Sequence, residues 1–414
     1  MNLLKLSWKN LTNKPLSMAL SLVLFALGIG LISLLMLLEK QLQENFEKNL
    51  AGIDLVVGAK GSPLQLILNS MYHIDAPTGN ISIKEIKPFL NPKHPLIQEA
   101  VPMAMGDSYR GYRIVGTDQN ILSWYDAKIA EGKVWEKNFE VTIGAGIAED
   151  LGLKLGDQFR SSHGFVEDEN LEHADADAFK VVGILEPSGS VMDQLILTTV
   201  QSFWLVHEHE EGDHAGHNHA VVPKPLIEED ETKEITSILI KFKGRNYQAL
   251  NMQRSINENT DMQAATPAIE INRLFSLMNT GEQALRILAI VITFVSGLSI
   301  FISLFSSLKD RKYELALMRT MGAGPSKLFF LIILEGLLLA IMGYVIGIIL
   351  SHGGMNFVAG AMKDAYRYSF SAWEFLRQEW YLLFGALAIG FLAAILPAWQ
   401  ASRTDIAETL TEGA

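Results

Sequence analysis

Four long apolar runs divide the chain: Leu16–Leu38, Ile287–Leu308, Leu328–Leu350 and Tyr381–Gln400. Only the third holds a charged residue, Glu335. At 1.5 Å per residue, about 20 residues cross a hydrocarbon core of about 30 Å. The pattern therefore predicts transmembrane helices over 16–38, 285–308, 328–350 and 381–400. Residues 39–284 have a different texture, with short apolar runs broken by charges, Pro and Gly, which predicts a folded domain outside the bilayer. A flank with Lys5, Lys9 and Lys14 and no acid precedes the first span, so the positive-inside rule puts the N-terminus in the cytoplasm. Four crossings return the 401–414 tail to that side and leave 39–284 and the loop 351–380 outside. The first apolar run is longer than a signal-peptide core and no small-x-small site follows it, so it is expected to remain as an anchor.

The connection 309–327, KDRKYELALMRTMGAGPSK, is too short for a domain and carries five basic residues. Tyr313, Leu317 and Met321 recur at helical spacing on an otherwise polar segment. Gly322 is placed to stop the helix, and Gly324-Pro325 to turn the chain into the third span. An amphipathic helix at one membrane face is expected to dock a partner protein. Residues 1–15, with Leu3, Leu4, Leu6 and Trp8 among lysines, read either as a second, interfacial helix on the same face or as an ordinary positive flank of the first span. Glu335 is costly in lipid, so it is expected to face other helices or the interface as a polar packing contact.

Within 39–284, Glu39–Leu50 and Pro267–Leu285 continue the helical pattern as stalks. An early apolar run at Ile53–Val57 is expected to pair with strands of a β-α-β pattern: Ile235–Phe242, a helix over 246–257, and Met262–Ala265. Runs between Ile81 and Thr199, separated by Pro and Gly turns, predict a mainly β module inserted into this α/β one. The expected fold is thus an α-helical membrane protein of four transmembrane helices with an α/β extracytoplasmic domain between helices one and two.

Composition narrows the function. Residues 39–283 hold 21 Lys and Arg against 37 Asp and Glu, a net of −16, which argues against nucleic acid as a partner. The chain has no cysteine, so disulfides and thiolate metal sites are excluded. Gly58-Ala-Lys-Gly-Ser62 lacks the spacing of a phosphate loop, so nucleotide binding is not expected. No catalytic constellation stands out, and the chain is read as non-enzymatic. One chemical feature does: Val206–Ala220 holds five of the ten histidines, His207, His209, His214, His217 and His219, among four acids. Imidazole with carboxylate suits zinc, nickel or copper. Metal held there suggests buffering or sensing.

The block RKYELALMRTMGAGPSKLFFLIILEGLLLAIMG resembles the second-to-third-span signature of MacB/FtsX-type permeases of ABC transporters. LPAWQASRTDIAETL resembles that family's closing motif, and IGAGIAEDLGLKLGDQF and VVGILEPSGSVMDQLIL its extracytoplasmic domain. The resemblance implies a permease subunit of the bacterial inner membrane with its large domain in the periplasm. It implies a separate ATPase subunit that carries ATP and Mg, a second permease chain as homodimer or heterodimer partner, and, for some members, a periplasmic adaptor and outer-membrane channel. The family's coupling helix maps onto Arg311, Tyr313, Glu314, Leu317, Arg319, Met321 and Gly322. The function implied is mechanotransmission: ATP-driven movement carried to the periplasmic domain for export or handover of a substrate. The alternatives are Lol-type lipoprotein release and FtsX-like activation of a cell-wall hydrolase. No fused ATPase is present, and the histidine segment, with zinc as the ion expected, departs from the family pattern.

Overall fold

The computed structural model describes residues 3–13, 15–163, 177–208, 221–244, 247–366 and 370–403. It divides into a helical unit, Met1–Leu42 with Met278–Ala414, and an α/β unit, Gln43–Leu277.

The helical unit begins with α1 (Leu3–Thr12) and α2 (Pro15–Asn49). Pro15 occupies the first helical position, where its missing N–H costs nothing. Helix α2 continues past its apolar run into the α/β unit. In chain order the α/β unit then supplies β1 (Leu55–Ala59), α3 (Pro63–Tyr72), β2 (Ile81–Ser82), α4 (Ile83–Ile86), β3 (Ile97–Tyr109), β4 (Tyr112–Thr117) and α5 (Asn120–Trp124). It continues with β5 (Ile129–Gly132), β6 (Glu140–Ile143), α6 (Ala145–Leu151), β7 (Gln158–Phe159), β8 (Ser162–His163), β9 (Phe179–Leu185) and β10 (Leu195–Thr198). Then come α7 (Val200–Glu208), β11 (Glu234–Ile235), β12 (Ser237–Phe242), α8 (Tyr247–Asn259) and β13 (Met262–Ala265). The chain closes with α9 (Pro267–Asp310), α10 (Lys312–Thr320), α11 (Pro325–Tyr366) and α12 (Arg377–Ser402). Helices α2, α9, α11 and α12 are long and apolar enough to cross a membrane.

Among the described residues, the α/β unit is organised on one mixed sheet in the order β13-β1-β12-β3-β4-β10-β6-β9-β5, with β7 on β9 and β8 on β3. Strand β1 lies antiparallel between β12 and β13, with Val56 opposite both Leu239 and Ala265. The early strand therefore closes the β-α-β pattern expected of it. The inserted strands extend the same sheet, through the parallel β4–β10 and β6–β9 pairs. Two apolar clusters serve the two ends: Leu55, Val57, Ile97, Ile238, Ile240 and Ile256 at one, and Tyr112, Val141, Ile143, Phe159, Phe179 and Ile196 at the other.

In the helical unit, glycines let backbones meet. A Cβ on Gly336 of α11 would lie 2.7 Å from the Gly390 carbonyl oxygen of α12, and one on Gly347 would lie 2.8 Å from the Ala26 carbonyl oxygen of α2. Such small-residue crossings suit helices whose packing gains nothing from leaving lipid. Ser17 and Ser21 of α2 bond Ser303 and Ser299 of α9 at 2.9 and 3.0 Å. The region read as an outer loop, 351–380, is helical as far as Tyr366. No proline interrupts Ser351–Tyr366, so the helix of the third span continues through it.

Candidate coupling site at the basic connection

Helix α10 is short, and its two faces differ. Leu315 and Ala316 are buried, and Leu315 shares a core cluster with Leu304, Leu308, Leu328 and Leu331. Tyr313, Leu317 and Met321, spaced four apart, are 50%, 46% and 71% exposed. Glu314 is exposed and Arg319 half-buried. The helix ends in a Schellman motif: the Ala323 N–H donates to the Met318 carbonyl, the Gly322 N–H to that of Arg319, and Gly322 takes φ +93°. Only glycine adopts that φ without strain, so Gly322 fixes where the exposed stripe stops. Beside the stripe, Leu3, Met318, Met321, Ala323, Lys327 and Leu331 line a cleft of about 250 Å³.

Arg311 does not join the stripe. It precedes α10 and turns inward, 8% exposed, where Nη2 donates to Glu335 Oε2 at 3.0 Å and Nη1 to Oε1 at 3.3 Å. Arg311, mapped among the coupling residues by resemblance, therefore lies inside the helical unit and not on the exposed stripe. A carboxylate three turns into an apolar helix needs a partner, and the fork of the guanidinium meets both of its oxygens. The third member comes from α1: Asn10 Nδ2 donates to Glu335 Oε1 at 2.8 Å. Ser7 Oγ reaches the Leu331 carbonyl at 3.4 Å, and Leu11 is buried while Leu4 and Trp8 face out. Helix α1 is thus amphipathic in fact, and it is bolted to α11 by the same carboxylate that holds the start of α10.

A second polar cluster lies at the other end of α11 and α12, and the sequence alone does not single it out. Glu379, fully buried in the first turn of α12, accepts from Ser33 Oγ at 2.7 Å and from the Leu376 N–H at 3.1 Å. His352 Nε2 lies 3.3 Å from Glu379 Oε1, and Ser351 donates to Ser33 at 2.9 Å. The available signal was a glutamate two residues before the fourth apolar run.

The histidine segment is only partly described. His207 lies in the last turn of α7. Thr199 Oγ1 accepts from the Ser202 N–H at the start of that helix, and Trp204 Nε1 donates to the Glu234 carbonyl at 2.7 Å. His209, His214, His217 and His219 lie outside the described residues. Among the described residues, no group of three or more His, Asp or Glu is placed to hold a metal ion.

Residues 286–406 match the FtsX-like permease C-terminal family, and residues 18–253 match the MacB-like periplasmic core domain. The ABC transporter permease YtrF of Bacillus subtilis (strain 168) is 28% identical over 138 residues, 30% of this chain and 31% of that protein. The chain therefore matches less than a third of that relative's length. A solved domain of a candidate permease protein from Porphyromonas gingivalis aligns over 51% of this chain and 86% of its own, at 11% identity and a TM-score of 0.25.

Proposed function

This chain belongs to the MacB/FtsX-type family of ABC transporter permeases, and we propose that α10 is the contact through which a separate ATPase subunit drives it. The observation that carries this is the two-faced character of α10. Its apolar stripe is exposed, yet its other face and the residue that precedes it, Arg311, are fixed in the helical unit, so a push on the stripe cannot be absorbed locally. ATP and Mg belong to the partner, since this chain has no phosphate loop of its own.

The basic residues Lys5, Lys9, Lys309, Lys312 and Lys327 favour a cytoplasmic face for α1 and α10. The α/β unit is then periplasmic, and the four long helices cross the inner membrane of the cell. Helices α2 and α9, 35 and 44 residues long, span roughly 50 and 65 Å at 1.5 Å per residue. Each is one continuous element from the apolar run into the α/β unit, which suits mechanical transmission. The output is movement of the periplasmic domain, in a pair with a second permease chain, for export or handover of a periplasmic substrate. The histidine-rich stretch supports a link between that substrate and zinc or another divalent metal. On this reading the chain is a non-catalytic subunit.

The test is Leu317→Asp, which places a charge in the middle of the stripe. Central apolar residues of an interface cost about 2 kcal/mol or more when lost, roughly 30-fold in affinity. The variant is expected to lose its ATPase subunit on co-purification while keeping the melting behaviour of the wild type. A variant that co-purifies normally would refute the docking assignment.

A further inference from the structure

The connection that leads into α12 is held firmly on its inner side and leaves aromatic rings on its outer side. Ala372 and Leu376 are buried in one cluster with Leu37 of α2 and Met355 of α11. Gln41 of α2 makes two reciprocal bonds to the Ser371 backbone: its Nε2 donates to the carbonyl at 2.6 Å, and its Oε1 accepts from the N–H at 2.9 Å. Lys40 pairs with Glu374. From α11, the His352 Nδ1–H donates to the Ala372 carbonyl at 2.6 Å. With the inner side fixed at so many points, the residues between the buried ones face away. Trp373 is 89% exposed, and Phe375, Trp380 and Tyr381 are exposed beside it. The Phe375 and Trp380 rings meet edge to face, 5.9 Å between centroids.

The level of these rings along the helices says what covers them. On α12, Tyr381, Phe384, Leu392, Leu396 and Trp399 share one exposed side, while Gly390 and Ala394 on the other side meet Gly336 of α11. Trp380 and Trp399 close the two ends of the exposed side, about 28 Å apart along the helix at 1.5 Å per residue. That length matches a hydrocarbon core of about 30 Å. The charges agree. Arg286, the first charge beyond the apolar run of α9, meets Glu39, the first beyond that of α2, at 2.8 Å. Trp and Tyr gather at such a boundary because the ring seeks lipid and the N–H or O–H seeks water. In water the same rings would be an exposed apolar patch with no partner.

We propose that Trp373, Phe375, Trp380 and Tyr381 anchor the chain in the phospholipid headgroup region of the leaflet opposite α10. The anchor fixes more than the connection itself. Ser371 and Glu374 hold Gln41 and Lys40, so the rings set the height at which α2 leaves the bilayer. They thereby give a fixed point to movement carried along that helix. This last role rests on the transmission proposed above, whereas the anchor rests only on four helices that cross a bilayer.

The chain has no cysteine, so single nitroxide labels report depth directly. Trp373→Cys and, with all four rings kept, Gln378→Cys are labelled in the full chain and reconstituted into phosphatidylcholine vesicles. Power saturation then compares collisions with oxygen, which concentrates in lipid, and with a neutral nickel chelate, which stays in water. Leu250→Cys on α8 is the aqueous reference and Phe384→Cys on α12 the lipid one. All four positions are exposed, so labelling leaves the packing intact. At 373 and 378 the nickel contact should fall below that at 250 while oxygen contact is kept, which places both labels between the two references. Nickel contact at 373 equal to that at 250 would overturn the anchor by putting the rings in water. Loss of contact with both reagents at 373 would overturn it as well, by showing a protein surface over the rings. Either result would leave the Leu317→Asp test of ATPase docking standing on its own.

Discussion

Removing one partner of the Arg311–Glu335 pair should do far more damage than removing both. The pair is buried, with side-chain exposures of 10% and 1%, and is doubly bonded. Arg311→Met leaves the Glu335 carboxylate with only Asn10, and Glu335→Met leaves a guanidinium among leucines. Each single change is expected to cost about 3–5 kcal/mol, chiefly the cost of an uncompensated buried charge. The double change to Met removes both charges and fills similar volume, and such swaps are commonly close to neutral. The cycle should therefore show a coupling of roughly 6 kcal/mol or more, the two single losses together less a near-neutral double. Asn10→Ala, which removes one bond to a charged oxygen, should cost about 1.5–3 kcal/mol. Thermal and denaturant unfolding of the purified chain in one detergent gives all four values. Single variants as stable as the wild type, or a double variant as unstable as the sum of the singles, would show that this pair does not fix α10 to α11.

Two further outcomes follow from the packing and the charges. Half-buried His73 lies 3.3 Å from the sulfur of Met105, and burial, aided by the charge of Arg113, lowers its pKa to about 3. The unfolded chain, with an ordinary histidine near 6.5, binds the extra proton first, so the contribution is complete above about pH 6.5 and is lost as pH falls toward about 3. At about pH 5 the loss is at most about 2 kcal/mol. Denaturant titrations of wild type and His73→Asn should converge as the medium is acidified, and parallel curves would contradict this. Gly336→Val puts a side chain into the Gly390 carbonyl and should cost about 1–3 kcal/mol. Gly385→Val, where a Cβ meets nothing within 4 Å, should lower the melting temperature much less, and equal losses would refute the close-crossing argument.

Much of this architecture was legible because its signals are local. Apolar runs, a basic connection and the 313–317–321 spacing each report on one helix, and hydropathy reads helices well because lipid allows so few alternatives. The pairing of β1 with β12 and β13 could also be read, since all three are short apolar strands bounded by turns. What stayed hidden depends on contacts far apart in sequence. Arg311 and Tyr313 look alike as members of a basic amphipathic stretch, and only the position of Glu335, 24 residues on, turns one inward. Asn10 gives no sign that it completes the pair. Glu379 reads as one more loop acid until Ser33, 346 residues away, donates to it. Asp107, two residues from the end of a long strand, gives no hint of facing His207.

The central claim is that a push received at α10 emerges in the α/β unit, and an absence of cysteine makes it directly measurable. Leu250→Cys, at an exposed position of that unit, gives one labelling site per chain. Spin-label distances are compared between the two permease chains of a complex with the partner ATPase, nucleotide-free and ATP-trapped. The account predicts a shifted distance distribution on trapping, abolished by Leu317→Asp. An unchanged distribution in the fully assembled, ATP-trapped complex would contradict it.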